Sequence, residues 1–130
     1  MHFRPEMLAA IGGGEPLDGP GTDYAIRFIR GAWRYHGITA ERLAEDLADL
    51  PAKLEHIERL AESGVIGGQT PNAADLQIGA TIRVLQPIGD LTPLLADTAA
   101  EQIALRHFSH HQQGYLPPGA YPAGWVPQRV

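Results

Sequence analysis

The sequence predicts an all-α protein with a single domain, residues 1–130, and three observations lead to this prediction. The length of 130 residues is that of one domain. Stretches between residues 22 and 111 carry apolar residues at helical spacing, and none shows the alternation of a half-buried strand. Hydrophobic residues make up 44% of the chain, which is enough to form a packed core. We therefore expect a helical bundle over about residues 22–111.

Two segments rich in Gly and Pro flank this predicted core. Residues 12–21 are mostly Gly and Pro and are predicted to form a loop. Residues 114–130 form a similar tail but carry Tyr115, Tyr121 and Trp125. Because disordered tails are usually poor in aromatic residues, we expect this tail to lie across the domain with its aromatic side chains packed down.

The first predicted helix begins after Gly21, with Thr22 or Asp23 as its N-cap, and ends at Gly37. Three arginines share one of its faces: Arg27, Arg30 and Arg34. Two interpretations of this face stay open. It can be a solvated face with an Asp23–Arg27 ion pair, or it can bind an anionic group, since guanidinium groups pair well with carboxylates and phosphates.

The second predicted helix opens at Thr39 and ends at Gly64, with leucines at near-heptad spacing along one side. Pro51 is expected to kink this helix or to start a new one after Leu50, because proline lacks the backbone N–H. Residues 39–63 hold seven acids and three bases, a local charge of −4. This acidity is typical of a solvated helix face.

The third predicted helix opens with Asn72 as N-cap and Asp75 three residues later, which is the spacing of a capping box. The residues that follow, 76–85, are apolar on nearly every side, so we expect a buried central helix that ends at Gln86 and Pro87. A last helix is predicted from a second capping box, Thr98 to Glu101, to about Phe108, after a short turn.

The run IGGQTPNAAD at residues 66–75, preceded by a long amphipathic helix, resembles the C-terminal helical domain of the glutathione S-transferase family. The similarity spans about Thr22 to Phe108, with Asn72 where the family usually has Ser or Thr. Only the capping residues Asn72 and Asp75 match a motif of the family. Their implied role is structural, namely to hold the central helix.

The resemblance implies a detoxification enzyme that joins glutathione, its co-substrate, to an electrophile. In the family a thioredoxin-like domain precedes the helices, binds glutathione and supplies the catalytic group. No strand-rich segment precedes Gly12, so we expect this chain to lack that domain, to bind no cofactor alone and to be inactive alone. No catalytic residue is therefore assigned.

The resemblance also implies that the helices supply one wall of the electrophile pocket and part of a homodimer interface. By region rather than by motif, the wall falls on the first helix and the aromatic tail. The candidate pocket residues are Arg27, Arg30, Trp33, Arg34, Tyr115 and Trp125. The alternative is a stand-alone helical module without catalysis that binds a protein or a small hydrophobic ligand.

Other kinds of site find little support in the sequence. The chain has no Cys, which excludes thiolate chemistry, and no metal is expected at His107, His110 and His111, which lack carboxylate neighbours. Ser63 and Ser109 lie in no strand–turn–helix elbow of a hydrolase. The net charge of −5 argues against nucleic acid, and no stretch predicts a membrane helix or an export signal, so a cytoplasmic location is expected.

Overall fold

The structure, a computed structural model, describes residues 20–110 and 115–128, and it is all-helical as predicted. The helices are α1 (Pro20–His36), α2 (Ala40–Glu62), α3 (Ala73–Leu85), α4 (Thr92–Leu95) and α5 (Ala99–His107), with a 3-10 helix at Gly89–Leu91 before α4. No strand occurs in these two ranges, and Ile88 pairs with Leu116 in an isolated parallel bridge. The predicted loop 12–21 lies outside the described residues except for its last two positions.

None of the helices within the described part of the chain combines the length and the apolar character that crossing a bilayer requires.

The core forms where α5 packs against both α3 and α2. Its centre is made of leucines from α2 and the 3-10/α4 segment, together with small residues of α5 that allow the helices to approach closely. The buried members are Leu47, Leu54, Ile82, Leu91, Leu94, Leu95, Ala100 and Ala104. The short segment between α3 and α5, expected to be a plain turn, is therefore part of the core.

Helix α1 lies at the edge of this core. No residue from Asp23 to His36 is buried, and α1 makes only sparse contact with the other helices. Its C-terminal end is held by Arg42, whose Nη1 donates to the Gly37 carbonyl at 3.0 Å. Gly37 has a positive φ of 61°, which confirms its predicted role as the stop of the first helix. The helix begins at Pro20, two residues earlier than predicted, and proline suits a first turn because that turn needs no N–H donor.

Helix α2 runs without a break through Pro51, so the second of the two predicted outcomes, a new helix after Leu50, does not occur. Thr39 caps its first turn by accepting from the Arg42 N–H at 3.2 Å. Leu47 and Leu54, one on each side of the proline, are both buried in the core. Burial of this continuous apolar stripe offsets the backbone hydrogen bond that proline cannot make.

The prediction of a buried central third helix holds for only one side of α3. One side of α3 packs against α5 and buries Gly79 and Ile82, but Leu76 is 46% exposed and Val84 is 63% exposed. Within the described residues, no helix covers this second side. The spacing of apolar residues shows which sides of a helix would favour burial. How many of those sides are actually buried depends on how many other helices pack against it.

Helix α5 has only half of the predicted capping box, and it ends at His107, one residue before the predicted end. The Thr98 hydroxyl accepts from the Glu101 N–H at 3.1 Å. The Glu101 carboxylate does not return to Thr98 but accepts from the Asp97 N–H at 2.8 Å, and it also contacts the side-chain amide of Gln86. Asp97 has a positive φ of 60°, which turns its N–H toward Glu101.

Candidate functional site

The capping box at the start of α3 is confirmed and is more extensive than predicted. The Asn72 side-chain oxygen accepts from the Ala74 N–H at 2.9 Å and from the Asp75 N–H at 3.0 Å. The Asp75 carboxylate accepts from the Asn72 N–H at 3.0 Å and also from the Gly67 N–H at 2.6 Å. One buried carboxylate therefore joins the helix to the Gly-Gly loop before it.

Asp75 is 1% exposed, and hydrogen bonds from the Asn72 and Gly67 N–H groups lower the pKa of its carboxyl group. The loop is held from two further directions. Asn72 Nδ2 donates to the Val65 carbonyl at 2.8 Å, and Arg106 of α5 donates to the Gly67 carbonyl. Because both carboxylate oxygens are occupied and closed to solvent, Asp75 is an anchor of the fold and does not face a substrate.

A second anchoring carboxylate holds the C-terminal tail. Asp90 in the 3-10 helix accepts from the Gly119 and Ala120 N–H groups, both at 2.8 Å. Leu116 forms two backbone hydrogen bonds of 2.7 Å, donating to the Pro87 carbonyl and accepting from the Gly89 N–H. The tail from 115 to 128 is thereby fastened along the 3-10 helix and α4.

The aromatic residues of the tail differ in how far they are buried. Tyr121 and Trp125 are half-buried and pack against the core, as expected. Tyr115 is 63% exposed, so the expectation was wrong for that residue. It precedes the paired residue Leu116 and lies outside the part of the tail that Asp90 clamps.

An open cavity of about 660 Å³ lies between the tail, the 3-10 helix and the start of α4. Its walls are mainly Pro and Gly, and its polar members are Asp90, Tyr121 and Gln128. Burial and the nearby charge of Asp90 raise the pKa of the Tyr121 hydroxyl. The phenol is therefore protonated at neutral pH and can donate a hydrogen bond to a ligand, but it offers no nucleophile or base.

None of the predicted pocket residues lines this cavity in the described part of the chain. Arg27, Arg30 and Arg34 are exposed on α1, and the described ion pairs include none of them. The Asp23–Arg27 pair of the first interpretation is therefore not among the described ion pairs. Trp33 is half-buried on the same helix. Tyr115 and Trp125 belong to the tail, and neither borders the cavity.

Among the described residues, the histidines at the end of α5 belong to no cluster that would bind a metal. His107 is the last residue of the helix, and its Nε2 is buried with no hydrogen-bond partner among the described residues. His110 is exposed beyond the end of the helix, and His111 lies outside the described residues. Residues 20–110 and 115–128 contain no group of three His, Cys, Asp or Glu side chains placed to hold a metal ion.

No known protein family, curated protein or solved structure matches this chain. The resemblance to the glutathione transferase helical domain therefore stays a prediction from the sequence.

Sequence reasoning did not identify Asp90 and Tyr121 as residues of a site, although both line the cavity. The sequence contains no strong signal for them. Asp90 stands in a short turn, and the amide group it binds in Gly119 lies 29 residues further along the chain. A hydrogen bond between residues this far apart in the sequence can be recognised only in the folded structure.

Replacing Asp90 with alanine is expected to loosen the tail, because two backbone N–H groups lose their acceptor. The free energy of unfolding should fall by about 1–3 kcal/mol. In a Trp33→Phe background, the fluorescence of Trp125 should shift to longer wavelength, since this side chain packs against the core. Asp46→Ala, at an exposed ion pair with Lys53, is the control and should change neither quantity appreciably. An unchanged Trp125 spectrum in Asp90→Ala would show that the clamp does not hold the tail.

Proposed function

We propose that this chain is the helical domain of a glutathione transferase-like protein. In this proposal it supplies one wall of an electrophile pocket and part of a dimer interface. Glutathione and the group that activates its thiol belong to a thioredoxin-like domain, from the same polypeptide or from another. The observation that carries the proposal is the buried capping box, in which Asp75 binds the N–H groups of Asn72 and Gly67 at the start of the central helix.

The exposed apolar surface supports a role beside a second domain. Leu76 and Val84 leave one side of α3 uncovered, and Tyr24, Phe28 and Tyr35 are exposed on α1. Apolar surface of this kind is a common sign of an interaction face. A thioredoxin-like domain seated on α3 would bury the apolar side that the sequence predicted to be inside.

The arginines of α1 supply a chemistry suited to a pocket wall. Arg27, Arg30 and Arg34 are exposed beside Trp33, and no described carboxylate neutralises them. They could bind the anionic part of a substrate while aromatic groups contact its apolar part. In the proposal these residues contact substrate, and none is assigned a role in activating glutathione.

A second candidate function is suggested by the cavity beside the tail. Its walls of Pro93, Pro118, Pro122 and Val126 are apolar, and Tyr121 offers one hydrogen-bond donor. Such a site suits a small hydrophobic ligand with one polar acceptor. A stand-alone binding module of this kind would need no partner domain.

Isolation of the native protein with an antibody against the helical domain tests the proposal. We expect the captured material to contain a thioredoxin-like sequence and to conjugate glutathione to a chlorodinitrobenzene electrophile. The 130-residue chain made alone should not be retained on immobilised glutathione, because it lacks the glutathione site. Captured material of about 14.0 kDa with no second chain and no conjugating activity would contradict the transferase proposal and favour the binding module.

A further inference from the structure

The carboxylate of Asp90 has hydrogen-bonding capacity that the tail leaves unused. Each of its two oxygens accepts one N–H group of the tail, from Gly119 and from Ala120, both at 2.8 Å. A carboxylate offers about four positions for hydrogen bonds, so roughly half of them remain. Asp90 is half-buried and borders the open cavity, which leaves the remaining positions available to a ligand.

The negative charge of Asp90 has no positive partner among the residues that the structure describes. The described ion pairs lie on α2, where Lys53 contacts Asp46 and Arg59 contacts Glu55. The described residues that line the cavity include no Lys, Arg or His. A carboxylate beside apolar walls attracts a cation more strongly than one in open water, because the local dielectric constant is lower. The cavity therefore favours a ligand with a positive charge.

Tyr121 adds a hydrogen-bond donor to the same cavity. Burial and, after it, the charge of Asp90 raise the pKa of the Tyr121 hydroxyl, which shows that the carboxylate acts on this part of the cavity. A ligand can therefore meet both groups if it carries an ammonium group and an acceptor oxygen on neighbouring carbons. The face of the Tyr121 ring can also attract a cation.

The rest of the cavity is apolar and held in shape. Its walls include Pro93, Pro118, Pro122 and Val126, and the ring of each proline fixes its backbone φ angle. The tail also packs directly on the 3-10 helix, since a Cβ atom at Gly89 would lie 2.7 Å from Cδ of Pro118. Walls that are formed before a ligand arrives spare the cost of ordering them. The volume of about 660 Å³ is within the range of pockets that take small molecules.

We infer that this cavity binds a small aromatic amine. Its ammonium group donates to Asp90, a neighbouring hydroxyl accepts from Tyr121, and its ring lies against the prolines. An anionic ligand would be repelled by Asp90, and a neutral one would leave the charge without a partner. A lysine of a partner protein would bring the same ammonium group, but its stem offers neither a ring for the apolar walls nor a hydroxyl for Tyr121. This inference rests on the second candidate function, whose ligand class it names, and not on the transferase proposal.

Titration of the unaltered chain with phenylethanolamine tests the inference and needs no substitution. Calorimetry measures the affinity, and NMR should show the backbone amide signals of Gly119, Ala120 and Gly124 shifting as the ligand is added. Phenylethylene glycol is the neutral analogue and mandelate is the anionic one, and each should bind more weakly by about fivefold or more. Added salt should weaken binding of the amine and leave binding of the glycol unchanged.

Three variants locate the amine in the cavity. Ala123→Arg places a competing cation on the cavity wall and should weaken binding of phenylethanolamine by about fivefold or more. Gln102→Arg adds the same charge on the exposed side of α5 and is the matched control, which should bind like the unaltered chain. Tyr121→Phe keeps the ring but removes the donor. It should weaken binding of phenylethanolamine about threefold and leave unchanged the binding of phenethylamine, which has no hydroxyl.

Several results would overturn the inference. Equal binding of the amine and the glycol would show that Asp90 does not select the ligand, although the second candidate function would stand. Tighter binding of mandelate, or of acetyllysine methylamide as a substitute for a partner's lysine, would contradict the ligand class. Equal affinities of Ala123→Arg and Gln102→Arg would place the amine outside the cavity. None of these results bears on the transferase proposal, which fails only if the native protein lacks a thioredoxin-like domain and conjugating activity.

Discussion

Asp75→Ala is expected to lower the free energy of unfolding by about 3–4 kcal/mol, the largest effect of any single substitution considered. Two backbone N–H groups, those of Asn72 and Gly67, lose their acceptor in a place closed to water. A hydrogen bond to a charged acceptor contributes about 1.5–3 kcal/mol, and a buried donor left unpaired adds a cost of its own. Urea unfolding followed by circular dichroism measures the change.

The carboxylate charge of Asp75 can be tested separately from its shape. Asp75→Asn keeps the size of the side chain but replaces one acceptor oxygen with a donor, so it should recover little of the loss. Asp46→Ala, at an exposed ion pair, is the matched control and should change the free energy of unfolding by about 1 kcal/mol or less. An unfolding midpoint of Asp75→Ala equal to that of the control would mean that the box does not support the fold.

The lowered pKa of Asp75 also predicts the direction of a pH effect. The folded-state pKa of Asp75 lies below the ordinary value of 3.8 for an aspartate, so the folded protein binds this proton less readily than the unfolded chain does. The stabilisation is present above about pH 4, near the unfolded pKa, and is lost as the pH falls through the folded-state value. Unfolding of the unaltered chain between pH 5 and 2 should show this loss. In Asp75→Asn the dependence should be visibly flatter.

Gly79→Val is the second large effect that we expect, a loss of about 2–3 kcal/mol in the free energy of unfolding. A Cβ atom at Gly79 would lie 2.7 Å from Cε2 of Phe108 and 3.5 Å from Cα of Ala104. Valine would add two methyl groups to this crowded contact between α3 and α5. Gly79→Ala should lose less, because the ring of Phe108 can shift and alanine favours the helix.

Gly31→Ala is the matched control, because it places alanine in a helix where no atom lies within 4 Å of the new Cβ. It should leave the free energy of unfolding unchanged or raise it by up to about 1 kcal/mol. Thermal unfolding at low protein concentration compares the variants without a contribution from association. A Gly79→Val protein as stable as Gly31→Ala would show that α3 and α5 do not pack this closely.

Local signals in the sequence predicted the helices well. Thr39, Asn72 and Thr98 each cap a helix by accepting from an N–H two or three residues ahead, and Gly37 ends α1 in a left-handed conformation. These interactions need only neighbours in the chain, so residue type and spacing are enough to predict them. The hydrogen bonds between Asn72 and Asp75 could be predicted from the sequence for the same reason.

The failures of sequence reasoning concern contacts between distant residues. The Glu101 carboxylate contacts the side-chain amide of Gln86, 15 residues earlier in the chain, and does not return to the Thr98 N–H. The clamp of Asp90 on the tail depends on an amide 29 residues away. Periodicity carries no information about such pairs, because it records only which side of a helix each residue occupies.

The sequence by itself determined an all-α chain, the caps of its helices and the stop at Gly37, because these are governed by interactions within a few residues. Only the tertiary structure decided that Leu76 and Val84 of α3 stay exposed, that α1 lies at the edge of the core, and that the tail forms one wall of an open cavity at Asp90. The physical reason is that burial is a property of the assembled helices. A side chain is covered only if another part of the chain has the room and the shape to reach it.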